Sequence, residues 1–130
     1  MADSNSNEKK YKILVIDDDE SVLEVLRMML EHDGYHVITA PGGLEGVETY
    51  KQENDISLVI IDLTMPDIPG IETLKRILQI NSSQKVMMAS GYDSTESAQE
   101  SMDMGAKYFM EKPFDIQKLF EVIKNIIIDD

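Results

Sequence analysis

ILVIDDDE, residues 13–20, runs four apolar side chains straight into four acids. Ile, Leu and Val without polar alternation are the mark of a strand buried on both faces, as inside a parallel sheet. The acids that end the run admit two readings. Carboxylates after a buried strand can cap the next helix, whose free N–H groups and positive dipole end attract them. Alternatively they hold a cation, which would make them a chemical centre.

Further along the chain the same signal recurs. Besides KILVI at 12–16, strands are predicted at 36–40 (HVITA), 58–61 (LVII), 85–89 (KVMMA) and 107–110 (KYFM). Between them lie helical stripes: Val22, Leu23, Leu26, Met29 and Leu30 over 20–32, and Ile71, Leu74, Ile77 and Leu78 over 71–79. A third, over about 115–127, carries Ile116, Leu119, Phe120, Ile123, Ile126 and Ile127. The stretch 94–104, STESAQESMDM, offers only Ala98, Met102 and Met104, which predicts a helix that packs weakly and shifts at small cost. Turn signals stand at His32-Asp33-Gly34-Tyr35, Pro41-Gly42-Gly43, Pro66 through Gly70 and Met104-Gly105-Ala106. Five βα units in alternation predict an α/β, doubly wound parallel sheet with helices on both faces and right-handed crossovers.

Ligands of such folds bind outside the C-terminal strand ends, where the strand order reverses. The residues that follow the apolar runs are Asp17 and Asp18, Asp62, Ser90 and, just past the fifth run, Lys112. Carboxylates gathered on one rim repel: a pair about 4 Å apart interacts by about 4 kcal/mol at an effective dielectric near 20. Donors that are all oxygen call for Mg2+ or Mn2+ rather than zinc. With such an ion, the Lys112 ammonium and the Ser90 hydroxyl describe a pocket for a phosphoryl group, whose transfer needs an in-line nucleophile and positive charge around its oxygens. Asp62 is the best nucleophile candidate, being single and followed by Leu63-Thr64-Met65-Pro66, whose carbonyls can complete a metal shell. The company of Asp62, Ser90 and Lys112 favours the cation reading for Asp17 and Asp18 over helix capping, despite the loose capping-box spacing from Asp17 to Glu20. Asp19 and Glu20 stay ordinary acids of a helix's first turn.

The 130 residues suit one domain, taken as 11–130 behind a polar tail at 1–10. Twelve Lys and Arg against 25 Asp and Glu leave a net charge of -13, which opposes direct binding to nucleic acid or anionic membranes. Cysteine is absent, which removes disulfides, thiolate metal sites and cysteine nucleophiles. With neither a membrane-spanning apolar run nor a signal-peptide core, a cytoplasmic protein is expected. His32 and His36 read as surface residues, and the nine Met as core filler, with Met102 and Met104 the pair to watch.

The segments IDDDE, VIIDLTMPDIPG, MMASGYD and GAKYFMEKPF, in that order and each at a predicted strand end, resemble the receiver domain of two-component response regulators, in its single-domain chemotaxis-regulator type. The resemblance runs from Lys12 to about Ile127. It implies a flavodoxin-like sheet in order 2-1-3-4-5 with five helices. It also implies that Asp62 accepts a phosphoryl group from a sensor histidine kinase or histidine phosphotransfer protein, the chain catalysing only its own phosphorylation and dephosphorylation. Mg2+ would be held by Asp18, Asp62 and the Thr64 carbonyl, with Asp17 acting largely through water. Ser90 and Lys112 would bind the phosphoryl oxygens, Ser90 and Phe109 would switch, and the Lys112-Pro113 bond would be cis. The switch aromatic, often Tyr in the family, is Phe109 here and has no hydroxyl for a partner to read. Thr64 and Tyr92 occupy the positions tied to the lifetime of the acyl phosphate. Output would pass through the face of the fourth helix, fifth strand and fifth helix, by docking an unknown protein or passing phosphate on, as a monomer or a phosphorylation-dependent dimer.

Two rivals share parts of this pattern. Residues 13–20 also resemble the first motif of haloacid-dehalogenase-type phosphatases, with Asp17 as nucleophile and Asp19 as acid; that reading lacks a later acidic motif after Lys112 and leaves Asp62 without a role. A flavin-binding module would need a Ser, Thr and Gly-rich loop after the first strand, where this chain has DDDE.

Overall fold

The computed structural model describes residues 11–91 and 95–129. Among them, strands and helices alternate: β1 (Lys12–Ile16), α1 (Glu20–His32), β2 (His36–Ala40), α2 (Gly43–Gln52), β3 (Ile56–Asp62), α3 (Gly70–Ile80), β4 (Val86–Ser90), α4 (Thr95–Met104), β5 (Tyr108–Glu111) and α5 (Ile116–Ile128). The strands pair in parallel in the order β2-β1-β3-β4-β5. No helix among the described residues is long and apolar enough to cross a membrane.

The alternation of side chains along each strand divides the core into two layers. Ile13 and Val15 of β1, Leu58 and Ile60 of β3 and Met87 of β4 pack with Leu23, Leu26 and Leu30 of α1 and Leu119, Ile123 and Ile127 of α5. Their neighbours Leu14, Ile16, Val59, Ile61, Val86 and Met88 face the other way, onto Val47 and Tyr50 of α2 and Leu74 and Ile77 of α3. Both faces of β1, β3 and β4 are therefore covered, which is why their sequences do not alternate with polar residues. One strand is longer than its apolar run: β3 starts two residues earlier, after Asp55 in a left-handed turn, and keeps Asp62 as its last residue.

The helices differ in what holds them. The apolar stripe of α5 is seated as expected except at Ile116 in its first turn, which is part-exposed. In α4, Ser101 is the one buried residue among those described, while Ala98 is half-buried and Met102 exposed, so its attachment is slight, as its composition predicts. Helix α2 was not marked by an apolar stripe, and its Gly42-Gly43 pair begins a helix rather than closing a turn: Gly42 is the N-cap and Gly43 the first helical residue.

Gly70 begins α3 under the tightest constraint. A Cβ there would stand 2.4 Å from the Asp62 carbonyl oxygen and 2.7 Å from the Leu63 Cα, both backbone atoms that cannot turn aside. Its N–H donates to the Leu63 carbonyl at 2.8 Å, closing the β3–α3 loop on itself. Gly70→Ala is expected to lower unfolding stability by about 1–3 kcal/mol, the usual cost of overpacking, and to shift the amide resonances of Asp62 and Leu63. Urea unfolding and a heteronuclear NMR spectrum check both.

Candidate acidic site at the strand ends

Strand parity brings the acids together. Ile16 pairs with Ile61, so the next residues, Asp17 and Asp62, leave adjacent strands side by side. Both continue the series that faces α1 and α5. They emerge where the chain runs from β1 outward to β2 and then returns to β3, the switch point of the sheet. Asp17 is anchored by its N–H, which donates to the Ala40 carbonyl at 3.1 Å.

Asp17, Asp18 and Asp62 each offer a carboxylate oxygen within 4.8 Å of the others. Asp17 and Asp62 are buried, and Asp18 is exposed. Lys112, directly after β5, reaches across the rim: its Nζ donates to Asp17 Oδ2 at 2.7 Å and to Asp62 Oδ1 at 3.2 Å. The Lys112-Pro113 bond is cis, as the resemblance implied. Ser90, buried at the end of β4, follows the Ala89 that pairs with Asp62, and its carbonyl accepts the Lys112 N–H at 2.7 Å. Ser90 and Thr64 line a common cavity of 320 Å³ with Leu63 and Ser97.

One ammonium does not balance three carboxylates. Burial, then the charge of Asp17, pushes the Asp62 carboxyl up from 3.8 to about 6; Lys112 offsets part of this and Asp18 adds to it. Burial pulls the Lys112 ammonium down, yet its hydrogen bond to Asp17 and the charges of Asp17 and Asp62 prevail and raise its pKa. A site short of positive charge, with oxygen donors only, fits a hard divalent cation such as Mg2+.

One of the four acids of ILVIDDDE caps the helix that follows. Asp19 is the N-cap of α1, its Oδ1 accepting the Ser21 N–H at 2.9 Å and the Val22 N–H at 3.3 Å. Asp17 is not the capping residue; its Oδ1 accepts the Asp19 N–H at 2.9 Å and so orients the turn. Phe109 is half-buried on β5, against the same core layer as Met104. Tyr92 lies outside the described residues. Lys112 and Gly91 also line an apolar groove of 580 Å³ with Val25 and Met29 of α1, Phe114 and Ile116.

Sequence reading gave no role to Asp67. From the β3–α3 loop its carboxylate accepts the N–H groups of Gly43 at 3.2 Å and Leu44 at 2.8 Å, capping α2 from 24 residues away. Burial works against its ionised form, but the backbone hydrogen bonds from Leu44, Ile68 and Gly43 prevail and lower its pKa. The available signal was that α2 begins with two glycines and so carries no side-chain cap of its own.

The fold and site together define a flavodoxin-like α/β protein with a lysine-bridged acidic pocket at its switch point. Residues 13–124 match the model of the response regulator receiver domain, and the chain belongs to that family. It is 34% identical to the chemotaxis protein CheY of Treponema pallidum over 97% of this chain and 89% of that protein. An uncharacterized transcriptional regulatory protein of Bacillus subtilis, YkoG, is 33% identical over 89% of this chain but only 50% of its own length. Among solved structures, the CheX-CheY-BeF3-Mg2+ complex from Borrelia burgdorferi superposes with a TM-score of 0.88 at 28% identity, covering 93% of this chain and 92% of that one.

A carboxyl with a raised pKa binds its proton more tightly folded than unfolded, so ionised Asp62 weakens the metal-free protein above pH 6 and ceases to as pH falls towards 3.8. In chelator at pH 7.5, Asp62→Asn is expected to raise unfolding stability by about 1–3 kcal/mol, from about 1.4 kcal/mol per pKa unit. The gain over wild type should shrink to nothing near pH 4. Paired urea titrations in EDTA at several pH values measure it.

Proposed function

We propose that this chain is a phosphorylation-activated switch that accepts a phosphoryl group on Asp62 from the phosphohistidine of a sensor histidine kinase or histidine phosphotransfer protein. The observation that carries this reading is the Lys112 bridge between Asp17 and Asp62 beside Asp18, a site short of positive charge until a second cation joins it. An Asp62 oxygen attacks phosphorus in line, the P–N bond to the donor imidazole breaks, and the imidazole leaves with its electron pair. At neutral pH Asp62 is ionised and ready for that role, since its carboxyl titrates near 6.

Lys112 and the Ser90 hydroxyl hold the phosphoryl oxygens. The carboxylates of Asp17, Asp18 and Asp62 and the Thr64 carbonyl would hold Mg2+ or Mn2+, which supplies positive charge to the transferring group. Asp17 already gives one oxygen to Lys112 and the other to the Asp19 N–H, which suits contact through water and disfavours Asp17 as a phosphatase nucleophile. The apolar groove that begins at Lys112 gives a donor protein a surface to rest on beside Asp62.

Phosphorylation then shifts a two-state equilibrium in which Ser90 and Phe109 take their active positions, and α4, lightly attached, moves with them. The face of α4, β5 and α5 carries the signal to a downstream protein or a second copy. In this reading the receiver unit spans 11–130 behind a polar tail at 1–10, works in the cytoplasm, and does not bind nucleic acid directly.

Incubation with Mg2+ and acetyl phosphate, followed by borohydride reduction and peptide mass spectrometry, is expected to mark Asp62, and Asp62→Asn to lose the mark. A mark on Asp17 with turnover of phosphomonoesters would instead establish the phosphatase. Protons and Mg2+ compete for Asp62, so calorimetric Mg2+ affinity should be level above pH 7 and fall by up to about tenfold per unit below pH 6.

A further inference from the structure

The loop from Leu63 to Pro69 carries Thr64, and its first residue is tied to the sheet and to the start of α3. Leu63 donates to the Ala89 carbonyl at 2.8 Å and accepts from Gly70 at 2.8 Å. Its middle is tied to a different element: the Asp67 carboxylate holds the N–H groups of Gly43 and Leu44 at the start of α2. The fit there is close, since a Cβ on Gly42 would stand 2.8 Å from Asp67 Oδ2 and one on Gly43 would stand 2.5 Å from Ile68 Cγ1. Helix α2 is in turn pressed on β1, where a Cβ on Gly46 would meet Ile16 Cδ1 at 2.5 Å. Ile16 directly precedes Asp17.

The loop of Thr64 and the strand end of Asp17 are thus referenced to one helix, and the Asp67 carboxylate is the polar link between helix and loop. We propose that Asp67 is a positioning residue for the cation site, fixing through α2 the loop on which Thr64 lies. The proposal rests on the reading of this site as a Mg2+ site. A residue that only capped α2 would stabilise the helix wherever the carboxylate sat. A positioning residue must sit on the loop.

That difference is testable by moving the carboxylate. Asp67→Ala removes the atoms that crowd a Cβ at Gly42, and Gly42, at φ -171 and ψ 170, has an extended conformation open to any residue. The double variant Asp67→Ala with Gly42→Asp therefore caps α2 from its own N-cap position at unchanged net charge. Urea unfolding, Mg2+ titration calorimetry and metal-free amide hydrogen exchange are measured on wild type and both variants. Expected are recovered stability in the double variant, Mg2+ affinity lowered about tenfold in both, as for outer partners of metal ligands, and faster loop exchange in both.

If the double variant recovers Mg2+ affinity together with stability, or if Asp67→Ala leaves affinity unchanged, Asp67 is a helix cap only and the proposal is overturned. If wild type itself binds no Mg2+ at millimolar concentration, the reading of the site falls and this inference with it.

Discussion

Three carboxylates and one ammonium at the end of a parallel sheet set the terms for the rest of the molecule. Register forces Asp17 and Asp62 together, because β1 and β3 are neighbours and the residues before these acids are paired. Separating the acids would require a register slip, and a one-residue slip would turn every Ile and Val of the strand onto the wrong layer. The apolar packing of the two layers thus holds together what electrostatics pushes apart. Lys112 spans Asp17 and Asp62 and offsets part of that repulsion. The remainder is the driving force for capturing a cation.

Rigidity is distributed accordingly. β1, β3 and β4 are buried on both faces and carry the acids and Ser90 on elements that do not yield. On the far side of β5, α4 rests on a small serine and few apolar residues. A chemical change at the rim meets stiff strands on one side and a lightly held helix on the other. In the proposed switch, displacement would follow the weaker attachment, on the face where Phe109 and Met104 share one core layer.

Much of this was legible in the residue order, for reasons that mark where legibility stops. Doubly buried strands write themselves as unbroken apolar runs, and parallel strands place their following residues on one rim, so Asp17, Asp18, Asp62, Ser90 and Lys112 could be gathered without coordinates. Helix α2 escaped because its packing depends on absent side chains: Gly43 and Gly46 approach Ile68, Thr73 and Ile16 where an apolar stripe would be looked for. The first two residues of β3, before Leu58, escaped because Ile56 and Ser57 are only half-buried. The link from Asp67 to α2 joins residues as far as 24 apart, and no local period encodes such a pair.

The same physics sorts the acids around the site. Asp19 and Asp67 both find unpaired N–H groups at the start of a helix, α1 and α2 respectively, and those donors take up their charge. Asp62 ends a strand whose backbone is already paired, and Lys112 is its one side-chain donor among the described residues. Asp17 stands between the two classes, one oxygen on the Asp19 N–H and the other on Lys112. The carboxylates left short of donors are the ones a cation can claim. A dense acidic run therefore does not by itself define the site; what defines it is which of its members the neighbouring backbone cannot satisfy, and that is fixed by where each strand ends and each helix begins.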